Sequence, residues 1–201
     1  MRVHIRNLRV PALVLPVVLT IGVVGAYADT IYVCWDGSGD YLTIQEGIDG
    51  ASDGDEVVVC DGTYTGAGNK NLDYHAKAIT VRSANGAETC IIDCEGHGEG
   101  FWFHSDETYA SVVDGFTIRN AYGGLGGGIA CYSSPTISNC TIASNTAYYG
   151  GGIGCSAPGN PTITGCTIVG NTADGGGAIM CDNGSSPTII NCAITGNTGT
   201  C

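Results

Sequence analysis

The sequence predicts an all-β chain wound as a single-stranded parallel β-helix, with three short sheets, about seven coils and a capping helix at its N-terminal end. Three observations carry that expectation. The stretch PTISNCTIASN (Pro135–Asn145) returns as PTITGCTIVGN (Pro161–Asn171) and as PTIINCAITGN (Pro187–Asn197), each time after 26 residues. Self-similarity at a fixed interval marks stacked units, none of which buries an apolar face alone. Within a copy, apolar and polar side chains alternate: Ile163 stands between Thr162 and Thr164, and Cys166 and Ile168 flank Thr167. Period two is the pattern of a half-buried strand, and no run at period 3.6 is long enough for a helical repeat. Gly, Asn and Pro separate the pieces, so each unit reads as three strands joined by tight corners.

From the N-terminus, residues 1–28 read as a secretory signal peptide. Arg2, Arg6 and Arg9 precede an uncharged apolar run, and Ala26-Tyr27-Ala28 places small residues where a signal peptidase cuts. The run is short and holds Pro11 and Pro16, so no membrane span is expected once it is removed. What then remains carries 4 basic and 19 acidic side chains, a formal charge of −15. That balance excludes a nucleic-acid partner. Residues 29–65 read as an N-terminal cap and first coil. Thr43 and Glu46 have capping-box spacing and Ile44, Ile48 and Ala51 share one face, predicting a helix near 43–51 that shields the first coil's open edge. Residues 66–201 read as β-helix repeats, with coils of about 26 residues from Val112 on; VVDGFTIRN (Val112–Asn120) and IIDC (Ile91–Cys94) are earlier, looser copies. The array stops at NTGTC, where the next glycine run is due, so the expectation is either a further domain or anchor beyond Cys201 or a partner that covers the last turn.

Identity at a constant interval lets like sit on like. Cys131, Cys155 and Cys181 form one inward column, and Cys140, Cys166 and Cys192 another. Two positions after Ile91, Val112, Ile137, Ile163 and Ile189 stand Asp93, Asp114, Asn139, Gly165 and Asn191, residue types that tolerate a left-handed corner. Asn120, Asn145, Asn171 and Asn197 read as an amide ladder along the axis. Eleven cysteines without C-x-x-C spacing fit an oxidising compartment rather than a zinc site. Vertical neighbours at strand spacing are close enough for disulfides, yet buried thiols stack equally well. Cys34 and Cys60, at equivalent places on the first two strands, are the best disulfide candidate.

DGSGDYLTIQEGIDGASDGDEVVVCDGTY (Asp36–Tyr64) resembles the N-terminal cap and first turn of pectin-lyase-like right-handed parallel β-helix proteins. The later GGGI…C…PTI copies resemble repeats of bacterial polymorphic outer-membrane and surface β-helix proteins. The resemblance implies right-handed winding, and it implies for an enzyme of the group a calcium-holding Asp cluster with an Arg or Lys base. The positions that match are Asp93, Asp114 and Arg119, the two aspartates being equally readable as corner residues. The Gly-His-Gly of pectin hydrolases occurs at Gly96–Gly98, but without their paired aspartates or Arg-x-Lys. Calcium in the acidic N-terminal half has candidates in Asp53, Asp55, Glu56 and Asp61, which a solvated acidic loop explains as well; no other cofactor is implied.

Fold alone does not assign function, so three readings stand side by side. The leading one is a secreted or cell-surface repeat protein, not an enzyme, that binds polysaccharide, a surface glycan or a partner through a flat strand face. Trp102, Tyr122, Tyr132, Tyr148 and Tyr149 are its candidate contacts, since rings with polar tips suit sugar faces and low charge suits a neutral polymer. The alternative is a polysaccharide lyase or hydrolase of the pectate-lyase-like type. The third is a structural or ice-binding-like scaffold, for which Thr136, Thr162 and Thr188 form a short outward ladder.

Overall fold

A computed structural model describes residues 28–200; the signal-peptide reading lies almost wholly at 1–27, outside the described residues. The repeats wind into a parallel solenoid of stacked coils. The longest sheet runs Thr30–Val33, Glu56–Val59, Thr80–Ser83, Val112–Asp114, Thr136–Ser138, Thr162–Thr164 and Thr188–Ile190. A second sheet stacks Gly62–Tyr64, Cys90–Asp93, Thr117–Arg119, Thr141–Ala143, Thr167–Val169 and Ala193–Thr195. A third contains Phe101–Phe103, Ile129–Cys131, Ile153–Ser156 and Ile179–Asp182. The 26-residue interval becomes register: Ile137 pairs with Ile163 and Ile163 with Ile189, while Thr136, Thr162 and Thr188 stack beside them.

The described residues form four sheets, not the expected three. Tyr122–Leu125, Thr146–Tyr149, Thr172–Gly175 and Thr198–Thr200 form another parallel ladder between the second and third sheets in chain order. Thr146–Tyr149 buries only Ala147, so its alternation is too brief to read as a strand in sequence. Tertiary pairing to the coils on either side makes it one. Gly126, at φ 75°, then turns the chain from the fourth sheet into the third.

The interior is largely apolar. Ile118, Ile142 and Ile168 form one fully buried column, and Ile129 and Ile153 belong to another. Each such side chain contributes about 1.5–3 kcal/mol of transfer free energy. The middle coils are filled instead by rings: Phe101 stacks on Phe103 with centroids 6.1 Å apart, and Tyr74 meets Phe103 edge-on at 4.9 Å. The single helix among the described residues spans Ile44–Gly50, with Thr43 and Glu46 closing the capping box. It buries Ile44 and Ile48, and a Cβ at Gly47 would touch Val33 and Val57, so the helix lies directly on the first two strands. No helix among the described residues is long and apolar enough to cross a membrane.

Two columns differ from the expected ones. The left-handed corner after the first sheet holds Gly115 (φ 74°), Asn139 (φ 51°), Gly165 (φ 63°) and Asn191 (φ 53°). Asp114 sits one place earlier, paired with Ser138, and Asp93 belongs to the second sheet opposite Arg119. Both aspartates are strand residues; in the loose early copies the apolar residues used for alignment fall at different strand positions. The amide ladder has three members, not four. Asn145, Asn171 and Asn197 stack, whereas Asn120 takes φ 55° in the corner beside Ser144 (φ 56°), and Ala121 occupies the ladder position.

Cys34 and Cys60 form a disulfide with Cα atoms 5.0 Å apart. Cys131, Cys155 and Cys181 stack in register as free thiols. Cys166 and Cys192 donate to the carbonyls of Thr164 and Ile190 at 3.4 and 3.3 Å, so this second column serves as corner hydrogen bonding. Burial pushes the Cys90 and Cys94 thiols up to about 12, making them inert apolar filling.

Candidate functional site

The candidate catalytic residues do not converge. Asp93 and Arg119 meet across the second sheet, Arg119 Nε donating to Asp93 Oδ2 at 3.0 Å. Burial raises the Asp93 carboxyl, but the Asn120 amide, the Glu95 N–H and Arg119 outweigh it and hold the group below the usual carboxylate range. Asp114 lies on the first sheet, where its Oδ1 accepts from Ser138 and Asn139 at 2.7 Å each. Its register neighbour is Arg82, which pairs with Glu56 at 2.6 Å. The two aspartates are thus on different faces.

The calcium candidates are also committed. Asp53 accepts from the Ala78 amide, Asp55 from those of Asp29 and Ser52, and Asp61 from Asn85 and Thr89. Glu56 holds Arg82. Among the described residues no group of three His, Cys, Asp or Glu side chains is placed to hold a metal ion.

The aromatic candidates divide into two groups, and the first borders a groove. Trp102 projects from the third sheet, directly beside Ala130, with Gly154 one coil further on. Those small residues leave a shelf next to the indole. Asn71, Gly98, Glu99, Gly124, Leu125 and Tyr132 complete a groove of about 430 Å³ with Trp102 and Ala130. Trp102 is 41% exposed and Tyr132 39%. His104 lies against the indole with centroids 3.9 Å apart, and its Nε2 is 3.1 Å from Asp73 Oδ2. Asp73 also meets His75 Nδ1 at 3.0 Å, so a carboxylate bridging two imidazoles braces the tryptophan through His104.

Tyr122, Tyr148 and Tyr149 stand on the fourth sheet. Tyr122 and Tyr148 pack edge-on with centroids 6.2 Å apart. Tyr122 borders a second depression with Glu95, Gly96, Asn120 and Thr146. All five aromatics are exposed, and the strand Tyr122–Leu125 separates the two hollows.

Sequence inspection missed Glu99 and Asn71. Asn71 Oδ1 accepts the Glu99 N–H at 2.8 Å, fixing the loop that carries Glu99. The Glu99 side chain is partly buried, and a Cβ on Gly123 would come within 2.6 Å of its Oε1. Burial pushes its carboxyl up, only partly offset by the backbone amides of Glu99 and Gly124. The one hint in the sequence is the unusual CEGHGEGF stretch, whose Gly-His-Gly draws the eye to His97 instead. His97 is exposed and does not line the groove.

This environment has a pH consequence. Between the ordinary carboxylate pKa and the raised native one, the folded state holds a proton that the unfolded state has lost. The native state therefore loses stability as pH rises through that window. Glu99→Gln removes the dependence, so thermal melts should show a higher Tm than wild type at pH 7 and no difference near pH 3. A lower Tm at pH 7 would contradict this environment for Glu99.

The family described as a right handed beta helix region matches residues 57–201. A curated Arabidopsis thaliana protein, "Probable pectinesterase/pectinesterase inhibitor 17", is 33% identical over 91 residues, which is 45% of this chain and 17% of that protein. The chain therefore spans well under two thirds of that relative. No solved structure matches it. The parallel coils and the matched residues agree: the chain belongs to the right-handed β-helix family.

Proposed function

We propose that this is a secreted or surface-displayed β-helix protein that binds a polysaccharide in the Trp102–Tyr132 groove without cleaving it. The observation that carries this reading is the groove itself: a braced, half-exposed indole, a second ring, an amide and a carboxylate around a shelf of small residues. Such a mixture of ring faces and polar tips matches the apolar faces and hydroxyl rims of sugars. The Cys34–Cys60 disulfide supports an oxidising compartment.

The pectinesterase relative favours a second reading, in which the chain modifies pectin. Asp93 and Arg119 would carry it. A carboxyl held below its usual range is a weak base, and an arginine already paired with it is poorly placed to take up a uronate. For that reason binding without cleavage is the preferred reading.

A panel of neutral and acidic polysaccharides tests both. Pull-down should show binding, with no new chain ends and no methanol released from methyl-esterified pectin. Trp102→Ala should weaken binding about tenfold, or ~1.4 kcal/mol, with an unchanged circular dichroism spectrum. Product formation abolished by Asp93→Ala would establish the second reading instead.

A further inference from the structure

All four lysines and arginines among the described residues are occupied. Lys70 Nζ meets Glu95 at 3.0 Å and the Cys94 carbonyl at 3.1 Å. Lys77 Nζ donates to the carbonyls of Ile48 and Asp49 at 2.7 and 2.8 Å. Arg82 holds Glu56 and Arg119 holds Asp93. None of the four lines the groove. A polyuronate presents one carboxylate per sugar and needs cations to replace its lost hydration. Here it would meet Glu99 instead, on a chain with 19 acidic side chains.

Glu99 has the opposite preference. Its carboxylate is partly withdrawn from water, and none of the ion pairs among the described residues includes it. A desolvated anion without a counter-ion gains from an arriving cation. Trp102 and Tyr132 border the same groove, and the faces of aromatic rings attract ammonium groups. Ala130 leaves room for a sugar ring beside the indole. We propose that the groove selects an amine-bearing glycan, one whose sugars carry free ammonium groups, with Glu99 as the ion-pairing partner and Trp102 as the ring beneath the sugar. The proposal rests on the glycan-binding reading above and names its ligand class.

The test is calorimetric titration of the chain with oligomers of equal length of glucosamine, N-acetylglucosamine and galacturonate. The glucosamine oligomer should bind at least about tenfold tighter than its acetylated form, and the galacturonate oligomer should not bind. Glu99→Gln should lower glucosamine-oligomer affinity about tenfold and change the acetylated ligand less than about twofold. Glu88→Gln, an exposed carboxylate outside the groove, should change neither. Equal affinity for the amine and acetylated oligomers, or preference for galacturonate, overturns the proposal. So does an equal loss on Glu88→Gln, which would show attraction by net charge alone. If these oligomers bind in a Trp102-dependent way without amine preference, only this inference falls. If none binds, or Trp102→Ala changes nothing, the glycan-binding reading falls with it.

Discussion

Replacing Asn171 with alanine is expected to destabilise the solenoid by about 2–4 kcal/mol, because it leaves several buried polar groups unsatisfied at once. The Asn171 side chain is fully buried. Its Oδ1 accepts both the backbone N–H and the Nδ2 of Asn145, at 2.9 and 3.1 Å. Its Nδ2 donates to the Ile142 carbonyl at 2.8 Å and to Asn197 Oδ1 at 2.9 Å. Alanine strands the Asn145 N–H and the Ile142 carbonyl of two buried residues. Asn120→Gly should cost under about 1 kcal/mol, since Asn120 is exposed and glycine accepts its left-handed backbone. Denaturant midpoints for the two variants decide the matter. Equal losses would mean that the ladder does not satisfy buried backbone in the way the geometry requires.

Gly127→Ala is the second large expected loss, about 3 kcal/mol through overpacking against backbone that cannot rotate away. A Cβ at Gly127 would lie 2.4 Å from the Gly151 carbonyl oxygen and 2.7 Å from that of Thr146. Gly151 stands in the same relation to Gly177 and Thr172, so the next coil's backbone occupies the space a side chain would need. Gly124→Ala is the control: nothing lies within 4 Å of a Cβ there, and stability should stay within about 0.5 kcal/mol of wild type. Thermal or denaturant melts of the two variants should therefore differ widely. Matching melts would show that the coils separate enough to admit a methyl group.

The sequence carried the parts of this fold that repetition encodes. A 26-residue interval, strict alternation around Ile137, Ile163 and Ile189, and the Thr43–Glu46 capping box were enough to predict stacked parallel strands, their register and the helix at Ile44–Gly50. Cys34 and Cys60 were legible for the same reason: equivalent places on adjacent coils must lie one strand apart. Sequence inspection failed where the period loosened. Asp93, Asp114 and Asn120 lie in the looser early copies, where the apolar residues fall at different strand positions, so counting from one apolar residue placed them in the wrong columns. It failed again at Thr146–Tyr149, where strand identity comes from neighbours rather than from alternation.

The groove was the least visible feature. Trp102, Tyr122, Tyr132, Tyr148 and Tyr149 were identifiable as outward rings, because each stands outside the inward-facing alternation. Which of them share a hollow was not, since that depends on how sharply the glycine corner folds the fourth sheet toward the third. Glu99 follows the same rule. In sequence it is one more acid in a glycine-rich loop, and only the coil above it, through Gly123 and Gly124, withdraws its carboxylate from water. A repeat determines which residues stack, because stacking follows from the interval alone. The angles between sheets, and hence the groove and the environment of its carboxylate, are set by contacts between segments that no interval relates.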